Sequence, residues 1–213
     1  MKIVYRIVAA LLALAIIPSV YFLSFLYYSF DAALVYVADE VYVKDVIEMV
    51  KDDTESIKKF FSGDGNFLSS HGAQQIKPSL ISFAVFFTLA LLLSIVIFFF
   101  AVFSNKRILI TGLGGLGLAF MGAAYLSFGK LADLLTSGKV PLSSFFDTEG
   151  FSFLIKMGIQ MAGGLMGLKT LRLTSAPLII TLLFAAIVVW GLAFILTEDD
   201  KEKAERKLKK AKH

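Results

Sequence analysis

Residues 108–128 read ILITGLGGLGLAFMGAAYLSF, a run of 21 residues without a charged side chain. An α-helix of about 20 apolar residues, rising ~1.5 Å per residue, spans the ~30 Å hydrocarbon core of a bilayer. The same run contains a G-x-G-x-x-G pattern at Gly112, Gly114 and Gly117, which in a soluble βαβ unit would bind a dinucleotide. The two interpretations predict different classes of protein.

The dinucleotide interpretation requires a second strand that ends in an acidic residue about 20 positions further on. Asp133 lies at that distance, but it follows an uninterrupted apolar run without a turn. Upstream, only residues 104–107 separate this run from another uncharged apolar run at 81–103. Two such runs joined by a tight turn are typical of antiparallel transmembrane helices. We therefore predict a membrane span at 108–128 and no bound cofactor.

The composition also indicates an integral membrane protein. Of the 213 residues 57% are hydrophobic and 18% charged, with a mean hydropathy of +0.77, more than a soluble core of this size needs. Lys and Phe are abundant, which fits an AT-rich genome, so we predict a bacterial plasma membrane. Because the chain has no cysteine, its loops must be held without disulfides. The predicted order is span 1–30, loop 31–78, span 79–103, turn 104–107, span 108–128, loop 129–175, span 176–196 and tail 197–213.

Basic residues orient the spans, because short cytoplasmic segments near span ends collect Lys and Arg. Lys2 and Arg6 open the first span, Lys106 and Arg107 lie in the turn, and the tail 197–213 holds seven basic residues. Four spans place all of these groups on the cytoplasmic side of the membrane. Both termini are then cytoplasmic, and the two long loops are extracytoplasmic.

The apolar segment 151–168 is the main ambiguity in this topology. As a fifth span it would move the basic tail outside and bring Lys156 into the hydrocarbon, at a cost of roughly 2.5–3.5 kcal/mol near the middle. We therefore predict four spans, with 151–168 as an interfacial or re-entrant helix.

The first loop is net acidic, and its apolar spacing predicts an amphipathic helix at 42–61. A small hairpin with strands at 34–37 and 41–43, turning at 38–40, is the alternative for its first part. The predicted fold is an all-α, four-transmembrane-helix bundle with a small, mainly helical extracytoplasmic region.

Small residues on a membrane helix mark a face that a neighbouring helix can approach closely. The third span has such a face, and the segment 151–168 contains two further glycines that lie four positions apart. We predict that both faces pack against other helices. The residues are Gly112, Gly115, Ala119, Gly122 and Ala123 in the third span, and Gly163 and Gly167 in the segment 151–168.

Polar residues form a second predicted feature. If the first helix continues to its predicted end, four of its polar residues share one face in the outer half. They predict a polar seam against another element or the lining of a water-filled path. The residues of this possible pore or polar seam are Tyr21, Ser24, Tyr28 and Asp31, together with Lys156 and Gln160.

The sequence offers no catalytic, cofactor-binding or metal-binding residues. The predicted spans carry no ionisable residue in their interiors, whereas proton-coupled carriers usually have one. The zinc-protease, P-loop and nucleophile-elbow motifs are missing, and two histidines without cysteine leave few ligands for a transition metal. The basic residues are not gathered with aromatic residues on one face, so nucleic acid is not an expected partner.

The predicted layout resembles, in topology only, the four-span claudin-like proteins, the tetraspanins and the four-span large-pore channels. The cysteine motifs of the first two are absent, and the one tryptophan, Trp190, lies in span four, so the resemblance assigns no family. We expect a non-enzymatic membrane subunit or scaffold that packs laterally in the lipid bilayer. Its extracytoplasmic surface would bind other membrane subunits or copies of itself. An oligomeric channel or small-solute carrier, with a re-entrant segment at 151–168, is the alternative.

Overall fold

The computed structural model describes residues 2–32, 35–45, 47, 71–104, 106–137 and 166–210. Most of these residues are helical, and a small sheet accompanies the helices. The elements are α1 (Lys2–Phe22), β1 (Ser24–Ala32), β2 (Val35–Tyr42), α2 (His71–Phe103), α3 (Arg107–Thr136), β3 (Met166–Leu173) and α4 (Ser175–Lys210).

Within the described part of the chain, four helices are long and apolar enough to cross a membrane. Their candidate spans are Ile3–Phe22, Gln74–Phe103, Arg107–Thr136 and Ser175–Thr197. By length and composition each of them fits one of the four predicted spans. Pro78 does not mark the start of α2, because the helix already begins at His71 and carries this proline inside it. Similarly, α4 continues beyond its apolar part to Lys210, so the tail prolongs the last span as a helix.

The first span is shorter than predicted, and a strand follows it. Helix α1 ends at Phe22, and Ser24–Ala32 forms β1 rather than the last turns of a helix. Its sequence, SFLYYSFDA, is rich in the aromatic residues that favour strands. The prediction mistook this aromatic run for the interfacial end of a helix, because length and apolarity alone do not distinguish the two.

The sheet corrects the prediction of an all-α protein. Strands β2, β1 and β3 lie in that order, and both pairs are antiparallel. Strand β2 runs unbroken from Val35 to Tyr42, so the alternative hairpin with a turn at 38–40 is wrong. Residues 43–45 are helical, and nearly all of the amphipathic helix predicted at 42–61 lies outside the described residues.

Strand β3 comes from the second long loop. It includes Met166–Leu168, so the helix predicted for 151–168 is wrong at its last three residues, and Gly167 lies in a strand rather than on a helical face. The remainder of that segment, with Lys156, Gln160 and Gly163, lies outside the described residues.

The chain forms two compact units. The helical unit comprises Met1–Ser19, Phe87–Gly122 and Ile179–His213, and the sheet unit comprises Val20–Phe86 and Ala123–Leu178.

In the helical unit, α3 and α4 approach closely where glycine removes a side chain. A methyl group added to Gly114 would lie 2.9 Å from Ile187 Cγ2, and one added to Gly117 would overlap the Phe184 ring. Gly191 of α4 faces Thr111 with equally little space. These three glycines let the helix backbones pack tightly, as small residues do in membranes.

The face predicted for helix packing points elsewhere. Among the described residues, a methyl group at Gly112, Gly115 or Gly122 would meet nothing within 4 Å, and Ala119 is exposed while Ala123 is half-buried. The described helices therefore do not approach Gly112, Gly115 or Gly122 closely. Helix α3 carries small residues on two faces. The sequence does not indicate which of these faces packs against α4. Contact of the exposed face with another chain stays a prediction.

Polar contacts join three helix ends in the helical unit. Arg6 near the start of α1 donates hydrogen bonds to the carbonyls of Ala101 (2.8 Å) and Val102 near the end of α2. Tyr5 Oη lies 3.4 Å from Thr111 Oγ1, in the first turns of α3. These contacts place the start of α1, the end of α2 and the start of α3 together.

In the sheet unit, aromatic side chains join the other helix ends to the sheet. Phe83 of α2 packs between Phe25 of β1 and Phe128 of α3, with ring centroids 6.0 and 5.3 Å away. Because β1 pairs with β3 and β3 leads into α4, the chain leaves α3 and enters α4 at the same end.

Candidate functional site

The sheet unit contains an open cavity of about 790 Å³ where α1 and α4 meet the sheet. One wall is polar and comes from the strands, a second comes from hydroxyl residues at the helix–strand junctions, and the rest is apolar. The pairing of the strands forms the polar wall, and the positions of the helix ends form the other two.

The polar wall follows from the register of the three strands. Tyr27 of β1 pairs with Glu40 of β2 on one side and with Arg172 of β3 on the other. Directly paired residues lie on the same face of a sheet. An acid and a base therefore flank one tyrosine in a row across all three strands, and both charged residues line the cavity.

The contacts within this row leave both charges available to a ligand. The Arg172 guanidinium lies over the Tyr27 ring, 4.7 Å from its centroid, in a cation–π contact. Tyr42 Oη donates to Glu40 Oε2 at 3.4 Å, and Glu40 is exposed. Neither Arg172 nor Glu40 forms an ion pair with any residue that the structure describes.

The pKa of the Tyr27 phenol is shifted by its neighbours. Its hydroxyl shares a hydrogen bond with Tyr36 Oη at 3.4 Å. This hydrogen bond is the main reason that the pKa of Tyr27 is raised above 10.0, and partial burial adds to it. The positive charge of Arg172 opposes the rise, while Glu40 supports it.

The hydroxyl wall ties β1 to the start of α4. Ser24 Oγ lies 2.9 Å from Ser175 Oγ, and Ser175 Oγ also donates to the Ser24 carbonyl at 3.3 Å. The Thr174 N–H donates to the Phe25 carbonyl at 3.2 Å. Ser175 is the first residue of α4, at the end of the helix where its dipole is positive.

The apolar wall reaches the level at which two candidate spans end. Phe22 is the last residue of the first span, and Leu178 lies in the first turn of the last span. Both line the cavity, together with Tyr125 of α3. Phe22 is 68% exposed and Leu178 is 55% exposed. In a membrane, these side chains would contact lipid while the strands contact water.

The predicted polar seam is partly wrong. Only Tyr21 of its first four residues lies in a helix, whereas Ser24, Tyr28 and Asp31 lie in β1, where successive residues alternate between faces. A shared helical face therefore does not exist. Ser24 nevertheless lines the cavity. Whether any of these residues lines a pore stays a prediction.

Sequence reasoning missed the charged residues of the site. The alternation of polar and apolar residues in Lys169–Leu173 is a strand signal, although the predicted topology places these residues in a loop. The alternative hairpin places Glu40 in its turn. Their approach depends on pairing between strands that are more than 120 residues apart, which no local pattern reports.

The described residues contain no group of His, Cys, Asp or Glu that could hold a metal ion. Comparison with protein-family models, with curated proteins and with solved structures gives no significant match.

Proposed function

We propose that the protein is a non-enzymatic integral membrane subunit or scaffold. It packs laterally in the bilayer and presents its sheet, on the extracytoplasmic side, to partner proteins or to copies of itself. The observation that carries this proposal is the composition of the sheet. The first loop supplies β1 and β2, and the second loop supplies β3. Two loops far apart in sequence thereby form one surface that four apolar helices anchor.

The distribution of basic residues supports this orientation. Arg6 and Arg107 contact neighbouring helix ends in the helical unit, and Lys106 is exposed beside them in sequence. Such residues favour the cytoplasmic side. The sheet follows the opposite end of α1, so it belongs outside the cytoplasm.

The edge of the sheet supports a role in binding. Strand β2 lies at an edge of the described sheet, and an edge strand can pair with a strand of another chain. Tyr36 is 60% exposed there, and residues 38–40 are exposed as well. Exposed aromatic side chains are enriched where proteins bind one another.

The exposed small-residue face of α3 supports lateral packing. Within the described structure, Gly112, Gly115 and Gly122 leave open space beside the helix, so a helix of another subunit could approach its backbone closely. Gly115→Leu should weaken association with that subunit without disturbing the fold of the chain. The matched control is Leu116→Ala, which changes an exposed neighbour without filling the groove.

Orientation can be tested with single cysteines, since the natural chain has none. We expect a membrane-impermeant maleimide to label Asp39→Cys in intact cells and to label Lys106→Cys only after permeabilisation. Both positions are exposed, so a difference in labelling cannot come from burial of either side chain within the protein. The reverse labelling pattern would contradict the proposed orientation.

Binding can be tested with a photoreactive amino acid at Tyr36, followed by identification of cross-linked proteins from native membranes. The matched control is the same group at Leu126, which is 73% exposed on α3. Discrete products at position 36 that are missing at position 126 would support a subunit. A defined conductance or solute flux in liposomes, without any protein partner, would instead favour the channel or carrier alternative.

A further inference from the structure

The charges around the cavity are balanced. Among the described residues that line it, Arg172 is the one positive and Glu40 the one negative side chain. They are separated by β1, so their backbones lie roughly 9–10 Å apart at the usual strand spacing. Long side chains at that separation can contact the two ends of a small zwitterion, whereas a simple anion would leave Glu40 as an opposing charge.

The positive side of the cavity is reinforced by α4. Arg172 precedes the helix by three residues, and Ser175 at its start also lines the cavity. The positive end of the helix dipole favours an anion at this position. A phosphate group would therefore lie on this side, and an ammonium group on the side of Glu40.

The apolar wall identifies the source of such a zwitterion. Phe22 and Leu178 are exposed side chains at the ends of candidate spans, directly beside the polar residues of the cavity. Phospholipids place a polar headgroup next to acyl chains at this level of a bilayer. A soluble zwitterion would have no use for these two exposed apolar side chains.

We propose that the cavity binds a phospholipid with a zwitterionic headgroup of the phosphoethanolamine class. The phosphate contacts Arg172 and the start of α4, the ammonium group contacts Glu40, and the acyl chains lie along Phe22 and Leu178. This site does not depend on which protein, if any, binds the edge of the sheet.

The test uses the full chain, delipidated in mild detergent, and native mass spectrometry with phosphatidylethanolamine or phosphatidylglycerol of identical acyl chains. We expect phosphatidylethanolamine to bind about two- to fivefold more tightly, the range that an accessible ion pair supplies. Glu40→Gln should abolish this preference while binding itself persists. Arg172→Gln should weaken binding of both lipids, and Arg172→Lys should restore part of it.

Lys44→Gln is the matched control. Lys44 lies over the Tyr42 ring, 5.1 Å from its centroid, but it is not one of the described residues that line the cavity. Its removal should leave the lipid preference unchanged. Equal binding of the two lipids by the natural chain, or a preference that survives Glu40→Gln, would overturn the proposal.

A soluble headgroup separates a lipid from a free solute. Glycerophosphoethanolamine should not displace the lipid at equal concentration, because it lacks the acyl chains. Displacement at equal concentration would assign the cavity to a soluble zwitterion and overturn the lipid assignment.

Discussion

The hydroxyl oxygens of Ser24 and Ser175 lie 2.9 Å apart, although 151 positions separate the two residues in the chain. Ser24 begins β1, and Ser175 begins α4. The contact therefore fixes the first strand of one loop to the helix that follows the other loop. It is the point at which the sheet, the cavity and the last candidate span are joined.

This proximity predicts that Ser24→Cys and Ser175→Cys together form a disulfide under mild oxidation. Disulfides require Cβ atoms about 3.5–4.5 Å apart, and two hydroxyls in hydrogen-bond contact are compatible with that separation. The cross-link closes a loop of about 150 residues, so it should stabilise the sheet unit by up to about 4–5 kcal/mol in the absence of strain. Mobility on a non-reducing gel reports its formation.

Ser29→Cys with Ser175→Cys is the matched control for the disulfide. Ser29 pairs with Thr170, five residues before Ser175, so its thiol is out of reach. A cross-link of equal yield in both pairs would show that β1 and the start of α4 are not held as described. The single-cysteine variants account for any cross-link between two molecules.

A second prediction concerns the two glycine faces of α3. Gly117→Ala should destabilise the helical unit by about 1–3 kcal/mol, because the added methyl group overlaps the Phe184 ring. Gly115→Ala should be neutral or stabilising by up to about 1 kcal/mol, because its methyl group meets open space and alanine favours a helix. The fluorescence of Trp190, the only tryptophan, can follow unfolding in micelles.

Phe184→Leu provides the second arm of this experiment. If the ring causes the effect of Gly117→Ala, the double variant should recover part of the stability lost. Equal effects of alanine at positions 115 and 117 would contradict the packing of α3 against α4. The comparison is internal to one helix, so differences in expression or micelle composition cancel.

These examples show which features the sequence could supply. The four apolar runs, the tight turn before α3 and the clusters of basic residues depend on local composition, so they were predictable. The choice between the faces of Gly115 and Gly117 was not, because both have small residues at helical spacing. It is decided by the position of Phe184 in another helix.

The sheet was missed for a related reason. Ser24–Ala32 is apolar and aromatic, and it follows a transmembrane helix without a break in hydropathy. Only its pairing with Met166–Leu173 makes it a strand, and that partner lies in a loop that looked irregular or helical. The site at Arg172 and Glu40 depends on the same long-range pairing, so it could not be predicted from spacing.

The third prediction concerns the phenol of Tyr27. Its pKa is raised mainly by the hydrogen bond with Tyr36, so Tyr36→Phe should lower it towards 10.0, and Arg172→Gln should raise it further. The difference in near-ultraviolet absorbance between the natural chain and Tyr27→Phe reports this titration. A midpoint unchanged by Tyr36→Phe would show that the two hydroxyls do not interact in solution.

The same shift has a consequence for stability. A phenol whose pKa is higher in the folded state binds its proton more tightly there. Its contribution is present below the unfolded value of about 10 and is lost as pH rises through the folded value. The sheet should therefore weaken only above pH 10, and Tyr27→Phe should reduce that dependence on pH.

The last prediction concerns Arg6, which holds the end of α2. Its guanidinium donates to the carbonyls of Ala101 and Val102, which belong to the last turn of α2 and have no acceptor role inside that helix. A cation there also interacts favourably with the helix dipole. Since Arg6 is half-buried, Arg6→Gln should cost about 1–2 kcal/mol of unfolding free energy. Arg6→Lys should retain part of this free energy, because a lysine can supply the charge but not the two directed N–H groups.

The matched control is Lys106→Gln, which removes an exposed charge near the same helix ends and should change stability by less than about 0.5 kcal/mol. Unfolding of Arg6→Gln and Lys106→Gln in micelles, followed by Trp190 fluorescence, measures the difference in stability. Equal losses of stability in these two variants would show that charge alone, rather than hydrogen bonding to α2, accounts for the effect of Arg6.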